Sequence, residues 1–418
     1  MMANKKFDWI IVGGGIAGLA VAEMLCREGI KVLLLEKNKK IASETSKEFH
    51  EWLHSGTLYT LVPDDMKTLR YLLGATDDLF EYYSTFDNMN LLPSEEGVVV
   101  GRKGWFNNER IEYRYKVRKL NPFWMSLVSR SSNIIDLVSK HDWLRRRAGS
   151  EYGRSRIRLK YSLDKIYEQL NAKEEFLKKT SPDLTMNSRL LINDLLSSAL
   201  QNGLEIVTDS AVLDIKEFDK SVYAVTEKRQ YATKNIAICS PDLLAKLMNV
   251  KIKIGYAPIA VADNVPENEK SFVELDYYPK SCINLLRKNN GVGQIGGISL
   301  NKKKDVDSYL EYLINQHKIR NPGISILGSY VGIKKELLMS GENRNYLYHV
   351  NQHSDKVWST VLGKFSLAFS MAPEFFRRVF KKNPPKTTNL KDTGMKKIVS
   401  VTSWQELVDK KRYQNGNN

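Results

Sequence analysis

The chain has 418 residues, with 64 Lys or Arg against 48 Asp or Glu and a formal charge of +16. Its 42% apolar and 10% aromatic residues are enough to bury a substantial core, which excludes wholesale disorder, collagen-like repeats and low-complexity fibres. A chain of this size is expected to form two domains. Cys26, Cys239 and Cys282 lie far apart without CxxC spacing, which gives no basis for a disulfide framework or zinc site and points to a reducing compartment.

Near the start, Lys5 and Lys6 precede an apolar stretch from Trp9 to Ala22 that imitates a secretory signal. Four glycines interrupt it and Glu23 stops it, so it is too short to cross a bilayer as a helix. A cytoplasmic location is expected, at most peripheral to a membrane.

The stretch Phe7 to Glu36 reads as strand, glycine turn, helix and second strand. Gly13, Gly15 and Gly18 stand in GxGxxG spacing, serving a tight turn, close backbone approach to a pyrophosphate, and close packing of helix on strand. Ile16 and Ala17 open the helix, whose N-terminus faces the phosphates. Gly29 is expected as its C′ residue. At the end of the second strand Glu36 is placed to accept from adenosine ribose hydroxyls and to repel a 2′-phosphate, which argues against NADP. The fingerprint alone is neutral between NAD and FAD. After Glu36 come Lys37 and a Ser-, Thr- and His-rich loop from Ala42 to Tyr59; a flavin needs such a loop for enclosure, with Ser43, Thr45 and Ser46 as candidates for its pyrophosphate and ribityl chain.

The fingerprint, the run His54-Ser55-Gly56-Thr57-Leu58-Tyr59 and two later segments resemble the flavoprotein oxidoreductase superfamily of D-amino-acid oxidase and glycerol-3-phosphate dehydrogenase. Within it, the His-Ser-Gly run is most similar to L-2-hydroxyglutarate dehydrogenase-like members. The later segments are 187–215, around Val212, and Gly363-Lys364-Phe365-Ser366-Leu367-Ala368. The resemblance implies FAD as cofactor, an α/β fold with a discontinuous Rossmann-like FAD-binding domain, and an α+β, antiparallel-sheet substrate domain. The chain departs from the family where Cys239-Ser240-Pro241 replaces an Ala-Gly pair, and where Gly332-Ile333-Lys334 replaces a Gly followed by a substrate-anchoring Arg. Lysine still holds an anion, but without the bidentate fork.

The expected FAD-binding domain covers 1–85, 183–250 and 322–380, and the substrate domain 86–182 and 251–321. Residues 381–418 read as a basic tail: from Arg377 onward eleven Lys or Arg face three acids, a balance of +8. A solvated tail is the simpler reading; contact with an anionic membrane surface is the functional one. Ser403 and Glu406 form a candidate capping box. A second basic cluster, from Arg145 to Lys160, is interleaved with aromatics, yet reads first as solvated surface, and a nucleic-acid partner is not expected.

For chemistry, the expectation is a flavin oxidoreductase that oxidises a C–OH or C–NH bond of a small anionic substrate by hydride transfer to flavin N5, the electron acceptor left open. The alternatives are an amine or amino-acid oxidase of the same superfamily, and a flavin-containing nucleic-acid-modifying protein. His54 and His349 are candidate bases. Lys364, with the helix start at Gly363, Phe365 and Ser366, is placed to stabilise negative charge on the flavin. Lys334, Arg344 and Tyr348 are candidates for the substrate anion; Ser55, Gly56, Ser240 and Gly332 complete the cofactor set. His54 or His50 is a candidate covalent tether.

Overall fold

The computed structural model describes residues 6–59, 67–94, 97–117, 167–170, 174–275, 282–288, 291–339, 342, 344–386, 390 and 394–416. The basic cluster from Arg145 to Lys160 lies outside them.

Two sheets organise the described residues, and the first is built on the fingerprint. Strand Phe7–Val12 pairs in parallel with Val32–Leu35 on one side and with Gln230–Ile238 on the other. Glu205–Val207 and Val357–Leu362 extend the parallel run at its two ends. An antiparallel meander of Val212–Phe218 and Ser221–Thr226 joins at Gln230–Ile238, and Tyr348–Gln352 pairs antiparallel with Val357–Leu362. Helix Ile16–Arg27 buries Ala22 and Leu25 completely against this layer. It ends as a Schellman motif: Gly29, at φ +78°, donates to Cys26 O and Ile30 donates to Leu25 O. Helices Ser188–Gln201 and Ala368–Phe380 pack beside it.

Buried ion pairs lie within and between the helices of this layer. Arg27 meets Glu23 on its own helix, both side chains fully enclosed, and Arg377 reaches Asp78 of helix Lys67–Tyr83 at 3.1 Å. The Asn187 carboxamide caps helix Ser188–Gln201 by accepting from Leu190 N at 3.1 Å.

The second sheet is mixed. Its order is Ser325–Leu337, Ile252–Asp263, Gly293–Gly297, Cys282–Arg287, Phe272–Leu275, Phe106–Val117, Glu174–Met186 and Trp52–Leu53, with Tyr167–Leu170 also on Glu174–Met186. Helix Val306–Arg320 covers one face. Three of these strands, Ile252–Asp263, Phe272–Leu275 and Cys282–Arg287, fall within the 251–321 stretch expected to contribute antiparallel strands to the substrate domain. Two assignments differ. Strand Ser325–Leu337, counted above with the nucleotide-binding half, ladders along its whole length with Ile252–Asp263. Trp52–Leu53 also belongs here, paired to Leu184 and Thr185.

The basic C-terminal segment is docked. Ile41 bridges to Val399, helix Ser403–Gly416 lies on Ser325–Leu337, and Val408 is buried against Val261 and Val292. Glu406 does not close a capping box. Its carboxylate pairs with Lys47 at 3.1 Å, while the Thr402 hydroxyl donates to Gln405 Oε1 at 2.9 Å. No helix among the described residues is long and apolar enough to cross a membrane.

Candidate active site

The glycines of the fingerprint are needed where they stand. Gly13 sits at φ +106°, and a Cβ on Gly18 would fall 1.9 Å from Gly13 O. The turn is held from outside by two side chains: Glu36 Oε2 accepts from Gly14 N at 2.7 Å, and Ser46 Oγ accepts from Ile16 N at 3.0 Å. Glu36 Oε1 takes two further bonds from Asn38, so a nearly buried carboxylate is fixed at the strand end.

From here a cleft runs past Gly13, Gly15, Ile16, Ala17, Glu36, Thr45, Ser46, Ser240 and Thr360 to Lys334, Gly363, Lys364 and Phe365. It opens into a second cleft of about 450 Å³, walled by Trp52, Tyr59, Tyr115, Leu275, Cys282 and Ile298 among others. Phe49, Lys334, Gly363, Lys364 and Phe365 line both. A cavity of that size, largely apolar with a few converging polar groups, suits a small ligand.

The polar groups at the junction are mostly cationic. The Lys364 Nζ lies 5.1 Å from the ring centres of both Tyr59 and Tyr346, Lys334 Nζ 5.4 Å and the Arg344 guanidinium 5.0 Å from Tyr346. Glu336 is their acidic neighbour, 3.6 Å from Lys334 and 3.1 Å from Arg344. Burial works against its charge, yet Lys334 and Arg344 hold the carboxyl below its ordinary range. Burial, then the charge of Lys334, pushes Lys364 well below the usual lysine range, and the two amines share a hydrogen bond. Lys334, Arg344 and Lys364 set three basic groups against the one carboxylate of Glu336, which leaves a positive surplus facing the cleft.

His54 stacks on Trp52 at 4.2 Å and turns an edge to Tyr59. Its Nδ1 is buried without a partner. Burial first, then Lys364 and Lys334, keeps this imidazole neutral well below the usual histidine range; the same causes with Lys288 put His50 at about 3.

Several residues expected at the site stand elsewhere. Tyr348 is buried against the Tyr71 ring at 4.9 Å, and His349, half-buried one residue on, belongs to the same strand; neither lines a cleft. The Ser55 hydroxyl and amide are spent on buried Asp183, together with Trp52 Nε1 at 2.8 Å and Tyr113 OH at 2.9 Å. Gly56, at φ +112°, packs its missing side chain against Leu69, and Gly332 packs against Glu48 O. Lys37 pairs with Glu44 at 2.5 Å, and Val212 joins the apolar layer beneath the parallel sheet. Ser366 Oγ is buried with no partner, beside the Phe365 wall. Tyr346, Glu336 and Asn284 reach the site or its cations although nothing in the sequence marks them: their place depends on how the strands of the second sheet and the Gly363 turn meet in space.

Residues 8–257, more than half of the chain, match the family described as FAD dependent oxidoreductase. The chain belongs to that family. The fold of this FAD-dependent oxidoreductase is similar to that of L-alpha-glycerophosphate oxidase from Mycoplasma pneumoniae (TM-score 0.65, 18% identity, 92% of this chain and 97% of that one). It is also similar to glycine oxidase from Geobacillus kaustophilus (TM-score 0.66, 13% identity, 94% and 100%). Over 86 residues, 21% of this chain, it is 29% identical to mitochondrial L-2-hydroxyglutarate dehydrogenase from Arabidopsis thaliana, matching 17% of that protein's length.

The residues present fit FAD. Gly13 and Gly18 let the turn close tightly at the helix start, Glu36 stands at the strand end, and Gly363, Lys364 and Phe365 line the far end of the same cleft.

Proposed function

We propose that this FAD-dependent oxidoreductase oxidises a C–OH or C–NH bond of a small anionic substrate held in the larger cleft. The junction at Lys334, Gly363, Lys364 and Phe365 carries the reading, because it is where the nucleotide cleft meets a cavity walled by apolar groups and surplus cations. FAD bound along the first cleft supplies the hydride acceptor.

The chain's own groups divide the remaining work. Lys334 and Arg344 hold the anion, as a point charge and a planar fork respectively. Tyr346 faces both of these groups as well as Lys364, Tyr59 faces Lys364, and the two rings exclude water around them. His54 is neutral at working pH with Nδ1 free, so it can accept the proton of the substrate hydroxyl or amine. An anion seated between Lys334 and Lys364 offsets the two charges that depress His54 and so raises its basicity. Lys364 and the helix start behind it offset negative charge at the far end of the first cleft.

The test begins with the absorption spectrum of the purified full chain, before and after acid precipitation. Bands near roughly 370 and 450 nm are expected from the oxidised chromophore. Anaerobic bleaching by 2-hydroxy acids, polyol phosphates or amino acids then sorts substrate classes, and peroxide release in air separates oxidase from dehydrogenase. Protein that stays colourless after incubation with FAD removes the basis of the reading; colour kept in the acid pellet identifies a covalent tether, with His54 and His50 as candidates.

A further inference from the structure

The wall of the larger cleft is a sheet face made of Tyr115, Leu275, Cys282, Ala257, Ile259 and Ile298, and one buried amide interrupts it. Asn284 is 2% exposed. Alternation along Cys282–Arg287 turns Cys282, Asn284 and Leu286 to one face and Ile283 and Leu285 to the other. The carboxamide hydrogen-bonds the Cys282 thiol, yet its Oδ1 has no partner. An enclosed carbonyl left unpaired costs about 1–3 kcal/mol, so something outside the chain is expected to pair it.

A second orphan lies beside it. Gly296 is the register partner of Asn284, and the His50 ring lies over it: a Cβ there would fall 2.0 Å from His50 Nε2 and 3.1 Å from Asn284 Oδ1. His50 Nε2 is likewise enclosed without a partner. Gly296 therefore brings an amide oxygen and an imidazole nitrogen together in the wall of the same cavity that Lys334, Arg344 and Lys364 line.

The chemistry narrows what these two atoms take. An ammonium would satisfy the amide but is repelled by the three cations. An amide N–H donates to Asn284 and accepts nothing in return from the imidazole. A hydroxyl donates to Asn284 Oδ1 and at the same time accepts from His50 Nε2–H in the tautomer that carries its proton there. We propose that Asn284, with His50 beside it, forms a hydroxyl-reading subsite, and that the substrate carries a further hydroxyl besides its anionic group and the bond oxidised. This rests on the reading of the cleft as an anion-binding substrate site, and it makes Asn284 the residue that selects polyhydroxylated anions over their deoxy analogues.

The test uses the full FAD-loaded chain and isothermal titration calorimetry with two matched pairs: gluconate against hexanoate, and sorbitol 6-phosphate against hexyl phosphate. Each pair shares carbon number and anionic group and differs in hydroxyls. The expected result is a preference for the hydroxylated member of about tenfold or more in at least one pair, the pair identifying carboxylate or phosphate as the anion. In Asn284→Leu the preference collapses to within about threefold while the deoxy member keeps its affinity. Asn284→Ala provides a second variant, and the wild-type comparison stands without either. Equal affinities within both pairs in the wild type overturn the proposal, meaning that water satisfies Asn284; so does a preference that survives both substitutions. If none of the four anions binds, the underlying anion-site reading fails instead.

Discussion

At Gly18 a single methyl group decides between a nucleotide cradle and a broken turn, since the added carbon would sit 1.9 Å from Gly13 O. Gly18→Ala is expected to cost about 2–3 kcal/mol of stability by overpacking and to lower the FAD content of the purified protein. Denaturant midpoint and the ratio of flavin to protein absorbance measure the two effects separately; full FAD occupancy at unchanged stability would contradict the steric account. Lys364 is a different case. Its amine is enclosed by Tyr59, Tyr346 and Lys334 rather than by a carboxylate of its own. Lys364→Met keeps the shape and removes the charge, so the fold is expected to gain or hold stability while affinity for a substrate anion falls about tenfold, or 1.4 kcal/mol. Titration of the variant with the anions that bleach the wild-type flavin checks it. Of these residues the glycines and Glu36 stand in a spacing that the sequence shows locally, whereas Lys334 and Lys364 are reached only through the resemblance of their segments to the family. Tyr346 was not legible: its place over three cations depends on how Ser325–Leu337 and the Gly363 turn meet in space, and among 20 tyrosines nothing local marks it.

Among elements, the segment from Val399 to Gly416 departs most from its reading in the sequence. Charge counting marks it as solvated, yet its apolar side chains Trp404, Leu407 and Val408 pack on Leu327 and Tyr330 of Ser325–Leu337 and on Val261 of Ile252–Asp263. Trp404 Nε1 donates to Glu51 Oε2 at 2.9 Å, and Glu51 also holds Lys288 at 2.8 Å and the amide of Ser188 at 2.9 Å. Trp404→Ala therefore removes both an apolar cover and a charge-assisted bond, for an expected loss of about 2–4 kcal/mol in unfolding free energy. Because Glu51 adjoins His50, the same variant is expected to weaken binding in the larger cleft. Trp404→Phe, which keeps the cover and loses the bond, should fall between the two. Helix Ser188–Gln201, by contrast, carries local signals at both ends, the Asn187 side chain capping its start and Gly203 following its close. The membership of Ser325–Leu337 was not legible, since a long strand beside nucleotide-binding segments in sequence can pair with either sheet.

Across the whole molecule, protonation and folding are linked in one direction. His50 and His317 are held near 3, burial being the main cause for each, and His54 is lowered as well. These imidazoles are neutral in the folded protein, while in the unfolded chain they take a proton below about pH 6.5. The unfolded state then binds more protons, so stability is complete above that pH and is lost progressively as pH falls towards 3. Lys364, also lowered, acts in the same sense at higher pH: the unfolded chain keeps its proton up to the ordinary lysine range. The melting temperature is therefore expected to fall steadily between pH 7 and 4, with a shallower fall in a His317→Phe variant. A flat profile over that interval would show that the imidazoles charge without cost.

The contact between Trp404 and Glu51 also sets an order of assembly. The phosphate turn at Gly13 is complete once its strand partners are made, but the histidine-bearing segment at residues 50–54 is secured by a side chain more than 350 positions later. Until helix Ser403–Gly416 has been synthesised and has come to rest, one wall of the substrate cavity lacks its outer support. Through Val399 the same segment bridges Ile41 beside the phosphate turn, so the walls of both clefts are expected to firm only when the end of the chain has docked.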